Sequence, residues 1–293
     1  MTKNGVSLLF LMIFAVPVLG NYIELKRLGM DAGSDALAGV SVYAKGSNPI
    51  FENPALLSNR LESQWLLTHR AFLDRAIMSA SLLIPIKGIG SLGIGYMGSD
   101  LLGIPEAVYD AGGGRLTGNN VKYSEKLFSL SLGGQIGVAP IFVGISGQFY
   151  DQNLAGVTAF SPVINGAFLY QYDSHLQYSI VRQNIFNAPI KWSSGTHEPI
   201  PNLTKIGLSY RSLIQVIDLY GELVVQDAYQ NQLNYGLSWA LHPQLSFQYG
   251  GAPFGQYLGL KVELSKVQIA FSYSIPNDNL FFSQSAFTLG LHF

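Results

Sequence analysis

The sequence has 293 residues, of which 48% are hydrophobic, 12% aromatic and 12% charged, with a formal net charge of −1 and no cysteine. Soluble globular domains usually carry about 25% charged residues, so this composition disfavours a water-soluble domain. The charge balance leaves no basic surface for nucleic acid, and the lack of cysteine excludes disulfides and thiolate metal sites.

Residues 1–20 are typical of a secretory signal peptide. Lys3 gives a positive start, residues 6–18 are almost wholly apolar, and residues 18–20 offer a cleavage site before Asn21. An uncleaved inner-membrane anchor is the alternative. The apolar stretch is short for a membrane span and no stop-transfer charges follow it, so we expect residues 1–20 to be removed.

Residues 21–60 lack the period-two pattern of strands, because glycines and two Asn-Pro pairs interrupt them. Within this segment, Asn53 is placed to cap a short helix that begins at Pro54 and continues through Ala55. The segment is too apolar to stay disordered. We therefore expect a compact plug, or hatch, rather than a mobile periplasmic tail.

From Leu61 onward, apolar and polar residues alternate, as in strands with one apolar and one polar face. In residues 233–242, for example, Leu233 and Trp239 fall on one face and Asn234 falls on the other. The clearest strand segments are 127–135, 141–150, 176–181, 233–242, 245–249, 258–264, 267–275 and 286–293. Residues 61–293 are therefore predicted to form an all-β fold, a transmembrane antiparallel β-barrel of about 14 strands, with the hatch of residues 21–60 inside the lumen.

The connections between these segments alternate in length. Tight turns are predicted at 87–88, 138–140, 173–174, 242–244 and 265–266, and polar loops at 98–124, 151–161, 184–202 and 276–284. This asymmetry is typical of barrels in the outer membrane of double-membraned bacteria. Because the last strand ends on the side of the short turns, we expect the long loops to be extracellular and both termini to be periplasmic.

Two stretches of the sequence resemble known outer-membrane proteins. The stretch from Gly29-Met30-Asp31-Ala32-Gly33 to Asn53-Pro54-Ala55-Leu56 resembles the N-terminal hatch of FadL-like proteins, in which an Asn-Pro-Ala triplet precedes the first strand. Trp192-Ser-Ser-Gly195, with Glu198-Pro-Ile-Pro201 and Gly207-Leu-Ser-Tyr210, is similar to the PorV/PorQ-like branch. The resemblance implies a barrel of the predicted strand number with an internal hatch. FadL is a diffusion channel for hydrophobic molecules, whereas PorV and PorQ are partners of the type IX secretion machinery.

No motif predicts an enzyme. The stretch from Gly88 to Gly93 matches the glycine spacing of a dinucleotide-binding turn, but a period-two strand follows it instead of the required helix. The five histidines show no short metal-ligand spacing. A hydrolase built on His242 or His292 would need a serine and an orienting group at the same rim. We expect no catalytic residue, cofactor or metal.

Charged residues and glycines of the barrel are the candidate functional residues. On the predicted inner face lie Lys205, Arg211, Glu222, Lys261 and Glu263. We expect them to pair with one another and to bind the hatch, and contact with a substrate is the alternative. Gly93 and Gly95 fall in the third strand, where glycine favours a kink or a close approach. They are predicted either to open a lateral gap in the wall, as in FadL, or to make room for the hatch.

We therefore expect a barrel that passes small hydrophobic molecules across the outer membrane, with membrane lipid and a hydrophobic small molecule as its partners. The alternative is a non-enzymatic accessory of a type IX-like secretion system. That role requires a surface that docks secretion-machinery or cargo proteins, which we place around Trp192 and loop 98–124. A third interpretation is a secreted, soluble β-sandwich, which the low charge disfavours.

Overall fold

The computed structural model describes residues 31–42, 48–59, 61–72, 75–110, 113–226, 230–277 and 283–293. The expected signal peptide of residues 1–20 lies outside these ranges, as do residues 21–30, 43–47 and 60 of the expected hatch.

Sixteen strands make up one sheet. They are β1 (Gln64–Phe72), β2 (Arg75–Ile86), β3 (Gly90–Asp110), β4 (Gly113–Gln135), β5 (Ile141–Leu154), β6 (Val157–Gln171), β7 (Leu176–Gln183), β8 (Ile190–Trp192), β9 (His197–Glu198), β10 (Leu203–Arg211), β11 (Ile217–Gln226), β12 (Gln232–His242), β13 (Leu245–Ala252), β14 (Gly255–Glu263), β15 (Val267–Pro276) and β16 (Gln284–His292). The short strands β8 and β9 form a hairpin that lies beside β6.

The other 14 strands close into a barrel. Each pairs antiparallel with its neighbours in chain order, β7 pairs with β10, and β1 pairs with β16 to complete the circle. In the closing ladder Gln64 lies opposite His292 and Phe72 lies opposite Gln284, so no backbone edge is left between the first and last strands. The structure confirms the all-β fold and the predicted number of barrel strands.

The side chains of the wall alternate between exposed apolar and buried polar residues. On β12, Leu233 and Trp239 are 54% and 47% exposed, whereas Asn234 between them is 9% exposed. Fully buried glutamines occupy the inner face elsewhere, among them Gln248 and Gln268. An apolar outer face with a fully paired backbone is the arrangement that a bilayer requires of a sheet.

The tight turns lie where the sequence predicts them, but two predicted loops are mostly strand. β3 continues to Asp110 and β4 begins at Gly113, so most of the predicted loop 98–124 is a long hairpin. Likewise β5 and β6 meet at residues 155–156 inside the predicted loop 151–161. A membrane-spanning strand needs about 9–11 residues, and β3 and β4 have 21 and 23. Their outer parts pair without the apolar alternation that identifies a lipid-facing strand, which is why the prediction was wrong there.

In the described part of the chain three short helices precede the barrel, and none of them is long and apolar enough to cross a membrane. They are α1 (Ala32–Ala36), α2 (Pro49–Glu52) and a 3-10 helix (Pro54–Asn59). We refer to residues 31–42 and 48–59 as the N-terminal segment. Helix α1 packs against β13, β14, β15 and β16, and the 3-10 helix packs against β3, β4, β5 and β6. All residues of the segment from 31 to 42 and from 48 to 57 are buried, so the segment lies against the inner face of the wall.

Candidate functional site

The Asn53-Pro54-Ala55 triplet forms the turn that starts the 3-10 helix. The side-chain oxygen of Asn53 accepts a hydrogen bond from the Ala55 N–H at 3.2 Å, as the predicted cap requires. The side-chain amide of Asn53 also donates to the Ser41 carbonyl at 2.9 Å. One buried asparagine therefore joins both parts of the N-terminal segment.

Two glycines of the wall accommodate this triplet. Gly133 on β4 and Gly144 on β5 are direct partners in the ladder, and both face the lumen. A Cβ atom at Gly133 would collide with the Pro54 carbonyl oxygen, and one at Gly144 would collide with the Pro54 carbonyl carbon and the Ala55 nitrogen. The sequence alone does not indicate the role of these glycines, because it depends on the register between the two strands.

Buried carboxylates anchor the other end of the segment. Asp31 caps α1, accepting hydrogen bonds from the N–H groups of Gly33 at 2.8 Å and Ser34 at 3.0 Å, and it also accepts from the Asn48 N–H at 2.7 Å. Burial raises the pKa of Asp31 above its ordinary value, while hydrogen bonds from these groups oppose the rise. On α1 itself, Asp35 lies 3.3 Å from the Arg70 guanidinium of β1.

Four of the five charged residues predicted for the inner face pair with one another, and the fifth pairs with another residue of the wall. Lys205 and Glu222 lie 3.5 Å apart, and Lys261 and Glu263 lie 2.6 Å apart. Arg211 pairs instead with Asp218 at 2.9 Å, a partner that the sequence analysis did not name. Glu222 also accepts a hydrogen bond from the Ser41 N–H at 2.7 Å. The structure thus shows both pairing and contact with the N-terminal segment, while contact with a substrate stays a prediction.

Gly93 and Gly95 lie on β3, the third strand, as predicted, and face the N-terminal segment. A Cβ atom at Gly93 would lie 2.5 Å from Cγ1 of Ile50, and one at Gly95 would lie 2.5 Å from Cζ of Phe51. The ladders to β2 and β4 are continuous at both glycines, and the register of β3 shifts only beyond Leu101. The glycines therefore make room for the segment, and the lateral gap stays a prediction.

An apolar column fills one side of the barrel. It combines residues of the N-terminal segment with inward-facing residues of the wall and of the loop between β7 and β10. Its buried members include Ile50, Phe51, Leu57, Leu66, Ile77, Leu83, Met97, Leu127, Tyr150, Val163, Ile190 and Ile200. The opposite inner face is polar and carries, among others, Asn234, Gln248, Gln268, Ser272 and Thr288. The inner face of β1–β6 also carries buried polar residues, among them Arg70, Ser129 and Gln148, so the apolar column occupies only part of that side.

Trp192, the predicted docking residue, lies on β8 at the end of the apolar column. Its indole is half-buried and packs against the column. The indole N–H donates to a carboxylate oxygen of Glu198 at 3.3 Å, which ties together the two strands of the β8–β9 hairpin. The hairpin in turn lies beside β6, where Ala159 is opposite Trp192. Trp192 therefore covers the apolar column instead of projecting freely from the loop.

In the part of the chain that the structure describes, no set of side chains is assembled that could bind a metal ion. Among those residues, no three His, Asp or Glu side chains gather closely enough to hold a metal ion. His175 lies near the turn between β6 and β7, where its Nδ1 lies 3.1 Å from the Arg211 carbonyl oxygen. The charged groups of the lumen are instead arranged in pairs, some within the wall and some between the wall and the N-terminal segment.

Known structures share this architecture. The toluene transporter TodX of P. putida superimposes with a TM-score of 0.70 at 12% identity, over 91% of this chain and 99% of that one. A TodX variant described as a monoaromatic hydrocarbon channel gives a TM-score of 0.60 at 12% identity, covering 90% and 98% of the two chains. A FadL homologue of Pseudomonas aeruginosa gives 0.57 at 9% identity, covering 90% and 98%.

At these identities the likeness shows the fold alone: a closed, 14-stranded barrel of the type found in FadL-like outer-membrane channels. No family model matches the sequence, and no curated protein matches it. The PorV/PorQ-like part of the resemblance stays a prediction.

Proposed function

We propose that this protein lies in the bacterial outer membrane and passes small hydrophobic molecules through its barrel, with the N-terminal segment acting as a hatch. The apolar column is the observation that carries this proposal. Barrel lumens are ordinarily lined by polar side chains. Here Met97, Leu127 and Tyr150 of the wall meet Ile50 and Phe51 of the segment in one continuous apolar cluster. An apolar solute lowers its free energy when it enters such a surface, because it leaves water for contact with hydrocarbon.

The position of the β8–β9 hairpin supports entry from the side of the long loops. Ile190 belongs to the same apolar cluster as Met97 and Phe51, and Trp192 packs against that cluster. A solute that displaces the hairpin would meet the wall residues first and the N-terminal segment next. Passage then requires the segment to move, because Ile50 and Phe51 are 0% and 3% exposed and fill the column.

The fold and the apolar outer face support the proposed location. On this proposal, residues 1–20 direct export and are removed, the long hairpins face outward, and both ends of the barrel chain lie on the periplasmic side. The likeness to TodX, a toluene transporter, favours hydrocarbons as the substrate class. The secretion-accessory alternative loses support because Trp192, its proposed docking residue, is occupied by packing against the column.

The proposal is tested by uptake of radiolabelled toluene into cells that lack their own hydrocarbon channels. Expression of the wild-type protein should accelerate uptake. Met97→Gln places an amide in the column. An apolar solute that passes this amide leaves it without a hydrogen-bond partner, which costs about 1–3 kcal/mol, so uptake should fall by roughly tenfold. The matched control is Met78→Gln, because Met78 is 60% exposed on the outer face of the neighbouring strand. Equal uptake by the two variants, both correctly folded, would reject the column as the route.

Mass spectrometry of the detergent-purified protein separates passage from secretion. The passage proposal predicts bound lipid or another apolar small molecule. A secretion accessory should instead retain polypeptide partners or cargo after the same purification, and their recovery in stoichiometric amounts would favour that alternative.

A further inference from the structure

Two cavities follow the same pair of strands, β10 and β11, on opposite sides of the N-terminal segment. The cavity nearer the long loops is lined by Ala38 of the segment and, on the wall, by Lys205, Val224, Gln226, Gln232 and Asn234. The cavity nearer the short turns is lined by Val42 of the segment and by His175, Gln177, Ser209, Arg211 and Asp218.

A single layer of side chains separates the two cavities. Along the β10–β11 ladder, Lys205 lies opposite Val224 on the first side, and Ser209 lies opposite Tyr220 on the second. The only pair of inward-facing residues between them is Gly207 and Glu222. At about 3.3 Å of rise per residue, the linings of the two cavities are roughly 13 Å apart along the strand.

Ser41 and Val42 close this layer. Glu222, which is 1% exposed, accepts hydrogen bonds from both the N–H and the hydroxyl of Ser41. Val42 lies over Gly207, where an added Cβ atom would be 3.0 Å from that of Val42. In the described part of the segment, Ser41 and Val42 form this barrier, and one carboxylate and one glycine of the wall hold them.

The chemistry of the two cavities differs from that of the apolar column. Their linings carry amides, hydroxyls, a lysine and an arginine–aspartate pair beside apolar residues such as Leu203 and Phe254. We propose that β10 and β11 line a second passage, for small ions and small polar solutes, which the Ser41–Glu222 contact holds shut. This passage is separate from the proposed hydrophobic route at β1–β6, and it does not depend on that route.

Glu222 keeps the layer closed because its carboxylate pairs with a buried polar group of the segment and with one of the wall. One carboxylate oxygen binds Ser41, and the other lies 3.5 Å from the Lys205 ammonium. If the layer opened in the wild-type protein, these groups would lose their hydrogen-bond partners. The free-energy cost of that loss keeps the passage shut. Truncating Glu222 removes both the contact with Ser41 and the side chain that fills the layer.

The experiment is ion conductance of the purified protein in planar lipid bilayers in potassium chloride. Glu222→Ala should raise the mean current at least tenfold over that of the wild-type protein. The matched control is Asp100→Ala, which removes a carboxylate from the half-exposed Asp100–Lys122 pair of the outer hairpin and should conduct like the wild-type protein. A Glu222→Ala variant that is folded, as judged by its heat-dependent mobility on gels, and conducts like wild type overturns the proposal.

A second variant decides the case if Glu222→Ala does not fold. Val42→Ala leaves every polar contact of the layer in place and removes two methyl groups above Gly207. It should raise the mean current several-fold, and a folded Val42→Ala barrel with wild-type current then overturns the proposal.

Discussion

The guanidinium of Arg70 on β1 lies 3.3 Å from the carboxylate of Asp35 on α1, and the two side chains are 4% and 3% exposed. The second carboxylate oxygen of Asp35 accepts a hydrogen bond from Ser272 of β15 at 2.8 Å. Because buried charges are stable only when they are paired and hydrogen-bonded, this contact ties the N-terminal segment to two strands of the wall.

Arg70→Ala should destabilise the protein by about 3–5 kcal/mol, because it leaves the Asp35 carboxylate buried without a cation. Adding Asp35→Ala should recover a large part of this loss, since no unpaired charge remains. Urea unfolding in detergent measures the free energies of the two single variants and the double variant. Strictly additive losses would show that the two residues are not coupled.

Gly144→Ala should weaken the docking of the Asn53-Pro54-Ala55 triplet, because the added methyl group collides with the Pro54 backbone. We expect a loss of about 1–3 kcal/mol, as for other overpacked sites. Gly147→Ala on the same strand is the control, since a Cβ atom there meets nothing within 4 Å. Thermal unfolding should separate the two variants, and equal midpoints would contradict this role for Gly144.

Gly93→Ala should destabilise the barrel through its contact with Ile50, and Ile50→Ala should relieve the damage. If Gly93 only makes room for the segment, the double variant regains both thermal stability and toluene uptake. A double variant that is stable but takes up toluene slowly would instead favour a lateral gap at β3. The measurement is the initial rate of uptake, normalised to the amount of folded barrel.

Asp173 makes the turn between β6 and β7 sensitive to acid. Its carboxylate accepts hydrogen bonds from the N–H groups of His175 at 2.7 Å and Leu176 at 2.8 Å, and these bonds lower the pKa of Asp173 below its ordinary value of 3.8. A lowered pKa means that the turn is stabilised above about pH 4 and loses this support as the pH falls through the pKa of the folded state. The amide chemical shift of Leu176 should therefore titrate below pH 3.8 and lose the transition in Asp173→Asn. A midpoint at or above 3.8 would contradict the assignment.

The barrel itself could be predicted because each lipid-facing strand carries its own signal. Alternation such as that of Leu233, Asn234 and Trp239 is local, and so are the residues of the tight turns. The cap formed by Asn53 is likewise a short-range pattern. The outer parts of β3 and β4 could not be predicted in this way, because a hairpin in water is held by its ladder and needs no apolar face.

The sequence predicts the candidate sites only where the position of a residue follows from the alternating pattern of its own strand. The inward direction of Lys205 and Glu222 follows from strand period, and their pairing follows once β10 and β11 are neighbours. The positions of Asp35 beside Arg70 and of Pro54 against Gly144 depend on how the N-terminal segment packs against the wall. Such contacts join residues far apart in the chain, and no single-sequence pattern encodes them.

Lipid should surround the outer face of this barrel, and the three tryptophans of the chain allow a direct test. Trp65 and Trp239 are 44% and 47% exposed on the outer face of the wall, whereas Trp192 packs on the interior column. Single-tryptophan variants are reconstituted into vesicles whose acyl chains carry bromine near the headgroups. We predict strong quenching of Trp65 and Trp239 fluorescence and little quenching of Trp192. If Trp65 and Trp239 escape quenching in the folded protein, the barrel does not span the bilayer.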